Sequence, residues 1–259
     1  MRYKKLIPDL KTNDIERTQE YWEKIHCEDD YKPVWSMTED KGVRKKNIDE
    51  LNKLPSCAEI LILGCGSKTL LQNDLAESLL NCHKITCTDF SKVIEYALSQ
   101  ENNSKIVYEA KDSADLQYED QFDVVVVVNS ILSDSDQENR EILSSCFKAL
   151  KPGGSLIGFF PSVFCALDMA YLEDDFKRAE QIDLKRNTYS DEIQEVTQIF
   201  YTPLRLRMVM QEAEFSLNKM EIYFCDSPYF LNHTKEFYGI EDPDVVIWEQ
   251  LVVAKKALN

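Results

Sequence analysis

Between residues 59 and 160, short apolar runs alternate with stretches whose apolar residues recur at helical spacing. The apolar runs cover residues 60–63, 85–88, 106–108, 124–128 and 155–160. Runs of this length without polar alternation predict strands covered on both faces, as in a parallel sheet. The five consecutive valines at 124–128 are the clearest case. Residues 70–80, 91–99 and 137–150 carry the helical spacing, with Ser91 placed to cap the second helix ahead of Val93, Ile94 and Ala97. Lys151-Pro-Gly-Gly154 stops the third helix. Strands alternating with helices imply parallel crossovers, and so a doubly wound α/β sheet.

After Pro161 the rhythm breaks. Residues 161–200 read as helix and loop without a clear strand, an insertion after strand five. Residues 204–214 predict a helix. Residues 219–224 and 245–254 read as two strands with no helix between them, an antiparallel pair that finishes the sheet. The expected fold is a mostly parallel seven-stranded sheet with an antiparallel last strand and helices on both faces. Residues 1–50 are polar and helical in pattern, with aromatics at Tyr21, Trp22, Tyr31 and Trp35. They are expected to form an N-terminal helical lid over a main domain spanning residues 51–259.

Composition narrows the picture. A chain of 259 residues, 44% of them apolar, supports one large domain with a sizeable core. No apolar stretch reaches membrane-spanning length. The N-terminal residues carry positive charge without the apolar core of a secretion signal. Eight cysteines include no Cys-x-x-Cys pair, and Cys57, Cys65, Cys87, Cys146 and Cys225 fall in or beside apolar patterns. Free thiols in a reducing cytosol are therefore expected, with no zinc site and no other metal. A formal charge of −16 argues against nucleic-acid binding and favours neutral or cationic substrates.

The chemistry concentrates in Glu59-Ile-Leu-Ile-Leu-Gly-Cys-Gly-Ser67, an apolar run ending in two glycines one residue apart. Glycines where a strand hands over to a helix permit a sharp turn and close approach of a ligand to the main chain. A second run, Ile85-Thr-Cys-Thr-Asp89, closes on a carboxylate at a strand tip, where it can accept hydrogen bonds from a ribose. Together they describe a nucleoside-cofactor site. Each residue also has a plainer reading: a tight turn for Gly64 and Gly66, a helix cap for Asp89, a solvated loop acid for Asp112.

The ordered set resembles the class I (Rossmann-like) S-adenosylmethionine-dependent methyltransferases, from about Glu59 to the C-terminus. The family's glycine motif matches Leu63-Gly-Cys-Gly-Ser67, and its strand-two acid matches Asp89. Asp112-Ser-Ala-Asp-Leu116 and Phe122-Asp123 match the stretch after strand three, and the Leu-Lys-Pro-Gly-Gly turn stands unaltered at 150–154. Two positions depart from it: Lys68 stands where a third glycine is frequent, and Glu214 where many members have Gly. A nicotinamide dehydrogenase is disfavoured because Thr69 occupies the position where that fingerprint needs Gly or Ala.

The resemblance implies S-adenosyl-L-methionine as cofactor and S-adenosyl-L-homocysteine as product. Gly64, Cys65 and Gly66 would meet the methionine end, Asp89 the ribose hydroxyls, Phe90 the adenine face, and Asp112 and Ser113 the adenine edge. Asn129 and Ser130, at the end of strand four, would face the crevice. It further implies transfer of a methyl group to O or N of a small-molecule acceptor, largely through positioning. His26 and His233 are the candidate bases, while His83 falls on the far side of the sheet. If His26 is the base, His26→Gln should lower turnover tens-fold and leave cofactor affinity constant. Tyr21, Trp22, Tyr31 and Trp35 from the lid, and Phe164, Tyr171 and Tyr201 from or beside the 161–200 insertion, are the candidate acceptor contacts. Protein methylation at a lysine or terminal amine, or a silent cofactor-binding partner protein, stay open as alternatives. DNA amino methylation is disfavoured, since Asn129-Ser-Ile-Leu132 lacks the prolines and stacking aromatic of that motif. The acceptor and the oligomeric state are open from sequence.

Overall fold

The structure is a computed structural model that describes residues 15–27, 37–54, 58–78, 84–100, 103–172, 177–191, 196–238 and 247–258. Chain order runs α1 (Ile15–Cys27), α2 (Lys41–Leu51), β1 (Glu59–Leu63), α3 (Leu70–Ser78), β2 (Lys84–Asp89), α4 (Ser91–Gln100), β3 (Ile106–Ala110), β4 (Phe122–Val128), α5 (Asp136–Ala149) and β5 (Leu150–Pro161). Then follow α6 (Val163–Ala170), α7 (Lys177–Glu180), β6 (Ile182–Asp183), β7 (Thr188–Asp191), β8 (Val196–Ile199), α8 (Pro203–Glu212), β9 (Ser216–Phe224), α9 (Pro228–Tyr238) and β10 (Trp248–Lys255).

Seven strands form one sheet in the order β3-β2-β1-β4-β5-β10-β9. β1 to β5 pair in parallel, and β10 runs antiparallel to both β5 and β9. The order reverses between β1 and β4. Open α/β sheets hold ligands at that switch point, beyond the carboxyl ends of their strands.

The valine run shows why the strands form where they do. Val124, Val126 and Val128 enter a core that includes Val43 of α2, Leu71 and Leu75 of α3 and Ile94 of α4. Val125 and Val127 point the other way, into a core with Ile142, Leu143 and Cys146 of α5 and Leu206 and Val209 of α8. A strand buried on both faces has no polar face to show, hence the unbroken run. α2 falls within the segment read as lid, and it packs against the sheet through Val43 and Leu51.

Two expectations need correction. Residues 161–200 contain strands: β6, β7 and β8 form a separate antiparallel sheet. Its strands are only two to four residues long, too short for alternation to register. A helix also intervenes between the last two strands, because α9 links β9 to β10. β9 is the end strand of the large sheet, and it leaves Met220, Ile222 and Phe224 exposed on one face. Its other face carries Lys219, which pairs with Glu50 at 2.9 Å and with Glu221 at 2.8 Å.

Candidate functional site

At the end of β1 the chain turns through Gly64 (φ 61°) and Gly66 (φ 68°). A Cβ on Gly64 would lie 2.4 Å from Ser130 Cβ, so no larger residue fits. Ser130 holds this contact by donating its hydroxyl to the Leu63 carbonyl at 2.7 Å. The turn at β1 and the end of β4 are thereby latched together. Gly66 is different: an added Cβ would meet only the His26 ring, at 3.3 Å. The His26 ring of α1 covers this face, so a ligand reaching the Gly66 main chain would have to displace or slide beneath that ring. Cys65 lies between the two glycines, buried, and its N–H donates to the Thr88 carbonyl at 3.1 Å.

Asp89 ends β2 beside this turn. Its Oδ2 accepts the Gly66 N–H at 2.9 Å and its Oδ1 accepts the Phe90 N–H at 2.8 Å. The carboxylate is buried, and burial raises its pKa; His26 and the two N–H groups oppose that rise. A carboxylate offers about four acceptor positions. Two are used here, so two remain for a vicinal diol. The glycine turn, the half-spent carboxylate and the half-buried Phe90 ring fit a nucleoside. Asp112 caps the short turn Ser113–Asp115, accepting the Ala114 N–H at 2.9 Å, and its side chain is exposed. It stands beyond the end of β3, free to meet a base edge.

α1 covers this end of the sheet. Glu23 pairs with Lys92 at 2.7 Å and the Cys27 thiol donates to the Lys92 carbonyl at 3.5 Å, fixing α1 against α4. Tyr21 meets Trp22 edge-on, and Trp22 stacks on His26 with ring centroids 6.1 Å apart. His26 Nδ1 lies 3.4 Å from the Ser67 hydroxyl, and the ring faces Asp89. Burial lowers the His26 pKa, with the Asp89 charge opposing and Lys68 assisting. His26 thus stands over Asp89. Lys68, at the position of the frequent third glycine, points outward and pairs with Glu39.

The tips of β4, β5 and β10 meet farther along the same edge of the sheet. Asn129 takes φ 48° as β4 ends, a conformation Asn tolerates better than most residues. Its Nδ2 donates to Glu249 Oε1 at 3.2 Å. The Asn129 side chain is thus directed at β10, where the expectation had it on the cofactor. Glu249 is buried at the start of β10, and burial pushes its pKa up to about 8, with only the Asn129 hydrogen bond opposing. Asn129 Oδ1 and Glu249 Oε2 are both buried and have no hydrogen-bond partner among the described residues. Sequence reasoning missed Glu249. The signal was a lone acid inside the apolar run from Val245 to Val253.

The other expected residues scatter. Phe164 and Tyr171 are exposed, at 43% and 74%. Tyr201 is a core residue: it is buried, stacks edge-on with Phe160 and donates its hydroxyl to the Ile131 carbonyl at 3.2 Å. It has no free face to offer an acceptor. His233 lies on α9. Tyr31 and Trp35 lie outside the described residues. Among the described residues no group of three or more His, Cys, Asp or Glu is arranged to hold a metal ion, and no helix is long and apolar enough to cross a membrane.

Residues 60–154 match a family model described as a methyltransferase domain. That span includes the glycine turn, Asp89, Asp112 and Asn129. No curated relative matches the chain in sequence. Among solved structures, the chain is similar to the Burkholderia thailandensis 1,6-didemethyltoxoflavin-N1-methyltransferase with bound 1,6-didemethyltoxoflavin and S-adenosylhomocysteine, at TM-score 0.65 and 16% identity over 97% of this chain and 94% of that one. A methyltransferase from Methanosarcina mazei described as S-adenosylmethionine-dependent aligns at TM-score 0.61 and 17% identity, over 82% of this chain and 98% of that one. The N-methyltransferase NodS from Bradyrhizobium japonicum, in complex with S-adenosylhomocysteine, aligns at TM-score 0.57 and 15% identity over 92% and 98%.

Proposed function

We propose, from the premise that this chain is a class I S-adenosylmethionine-dependent methyltransferase, that its acceptor is a small molecule methylated at O or N. Bound S-adenosylmethionine supplies a methyl group already activated by a sulfonium. The chain's own residues then have three tasks: to hold the cofactor, to place the acceptor, and to keep water out.

Asp89 and Gly66 hold the ribose and adjoining chain, with Phe90, Asp112 and Ser113 around the base. α1 closes over them, and His26 serves there as a lid residue at the cofactor, not as the base for the acceptor. Gly64, latched to Ser130, sets the separation between cofactor and acceptor ends. Positioning of this kind contributes on the order of 7–11 kcal/mol in favourable systems.

The observation that carries the small-acceptor reading is the buried Asn129–Glu249 pair. Its polar atoms are buried near Cys165 and Cys225, where a small group would reach them more readily than a protein segment would. The aromatic residues Trp22 and Phe164 remain proposed acceptor contacts, at the lid and on α6. Two of the similar structures are named as N-methyltransferases, one with its small heterocycle bound, which supports the same reading. Six described cysteines are free, in keeping with a reducing compartment, and we extend the reading to the cytoplasm.

The test is label transfer. The protein is incubated with S-adenosylmethionine carrying a labelled methyl group and a cell extract divided into small-molecule and protein fractions. Label entering the small-molecule fraction is expected. Label confined to protein would replace this reading with protein methylation, and no transfer to either fraction would leave a silent binding fold.

A further inference from the structure

Buried oxygens that lack donors are costly, so an unanswered pair calls for a function. Asn129 Oδ1 and Glu249 Oε2 are such a pair among the described residues. They are bridged on their other sides by the 3.2 Å hydrogen bond from Asn129 Nδ2 to Glu249 Oε1. That bridge fixes which amide atom is free: Nδ2 is spent on Glu249, so Asn129 turns an acceptor outward. Once Glu249 is ionised, both open positions ask for donors, and a hydroxyl can offer only one hydrogen. An amine nitrogen offers two or three.

We infer that Asn129 and Glu249 form the acceptor site for an amine, whose N–H groups donate to Asn129 Oδ1 and Glu249 Oε2, with the Glu249 carboxylate taking the proton the nitrogen must lose before it can attack. This deepens the small-acceptor reading and rests on it. An amine arrives in water as an ammonium ion with no lone pair. One N–H bond breaks, its electron pair stays on nitrogen, and an O–H bond forms at Glu249. The carboxylate becomes a neutral acid and the amine becomes a nucleophile.

The surroundings suit this. The titratable groups facing Glu249 are Cys165 from α6 and Cys225 after β9, and burial holds both thiols protonated. Asp168 of α6 is occupied by the Trp248 indole N–H at 2.9 Å, and Asp40, which bears on Cys225, is held by Val43 N–H and by Ser227. Asn129 alone among the described residues opposes the burial of Glu249. Arg178 of α7 bears on Cys165, but no cation bears on Glu249 among the described residues, so an ionised Glu249 lacks a positive charge that an ammonium supplies. The raised Glu249 pKa, about 8, narrows the gap to an ordinary amine.

The experiment compares matched probes on protein saturated with S-adenosylhomocysteine. Saturation is established first by calorimetry: failure there rejects the methyltransferase reading itself, separately from this inference. Benzylamine against benzyl alcohol, and butylamine against butanol, are then titrated by saturation-transfer NMR from pH 6 to pH 9. The amines should bind about tenfold more tightly than their alcohols, with the preference rising as Glu249 ionises. Glu249→Gln should abolish the preference while S-adenosylhomocysteine binding persists. Equal binding of amine and alcohol, binding of neither, or a preference retained in Glu249→Gln overturns the inference. Should Glu249→Gln fail to fold, the wild-type preference and its rise with pH decide alone.

Discussion

The two ends of the crevice are built on opposite principles. At the β1–β2 end, the groups that would meet a cofactor already have partners. Asp89 receives Gly66 and Phe90, Ser130 grips Leu63, and α1 is pinned to α4. At the β4–β10 end, Asn129 and Glu249 satisfy one another once and leave an oxygen each unanswered. The first end is preformed for a ligand of fixed shape. The second carries a polar deficit that the proposed acceptor would fill. On the proposed reading, a shared cofactor would permit a rigid cradle, and an acceptor would be recognised by the donors it brings.

The contrast breaks most severely at Gly64. Gly64→Ala puts a Cβ against Ser130 at positive φ, and should destabilise the fold by about 2–5 kcal/mol, read by chemical denaturation. A variant as stable as wild type would mean that the latch between the two ends is soft. Next comes the cradle's own acid. Asp89→Ala should weaken S-adenosylhomocysteine binding by about 1.5–3 kcal/mol in calorimetry. An unaltered affinity would remove Asp89 from the ribose.

At the deficient end the effect has a pH sign. Glu249 has its pKa raised in the folded state, so the folded protein holds a proton there that the unfolded chain releases. Stability should therefore fall as pH rises from the ordinary carboxylate range to about 8. Glu249→Gln should remove that slope and be more stable than wild type at pH 9 by roughly 1–3 kcal/mol. Parallel stability curves would show that Glu249 has found a partner when folded. Tyr201→Phe, which removes a hydroxyl from the core between the ends, should cost about 0.5–1.5 kcal/mol of stability and leave acceptor kinetics untouched. His26→Gln sharpens the comparison most gently. Standing over Asp89, His26 should alter cofactor affinity by about threefold, with turnover at saturating cofactor unchanged. A fall in turnover alone would restore it as the base.

The glycine turn and the strand-tip acid were legible in the sequence because their parts are local. Gly64 and Gly66 sit one residue apart, and Asp89 closes the next strand. Glu214 was legible by departure: it stands where Gly is frequent and takes φ 67°. The Asn129–Glu249 pair was not legible, because it joins residues 120 positions apart. Asn129 and Glu249 meet only once β10 has inserted beside β5. Tyr201 was misread because an aromatic near an insertion looks the same in sequence whether it lines a pocket or fills a core. The strands β6 to β8 escaped notice through brevity, and α9 through its place in a connection that needed no helix to close the sheet.

The bare flank of β9 bears on handling the protein. Met220, Ile222 and Phe224 lie along a strand that ends the sheet, an arrangement prone to stacking copy upon copy. At neutral pH the net charge of −16 keeps molecules apart. As acid neutralises the carboxylates this repulsion disappears, while the greasy rim stays where it is. Turbidity on acidification should thus precede unfolding, and a lysine at position 222 should delay it.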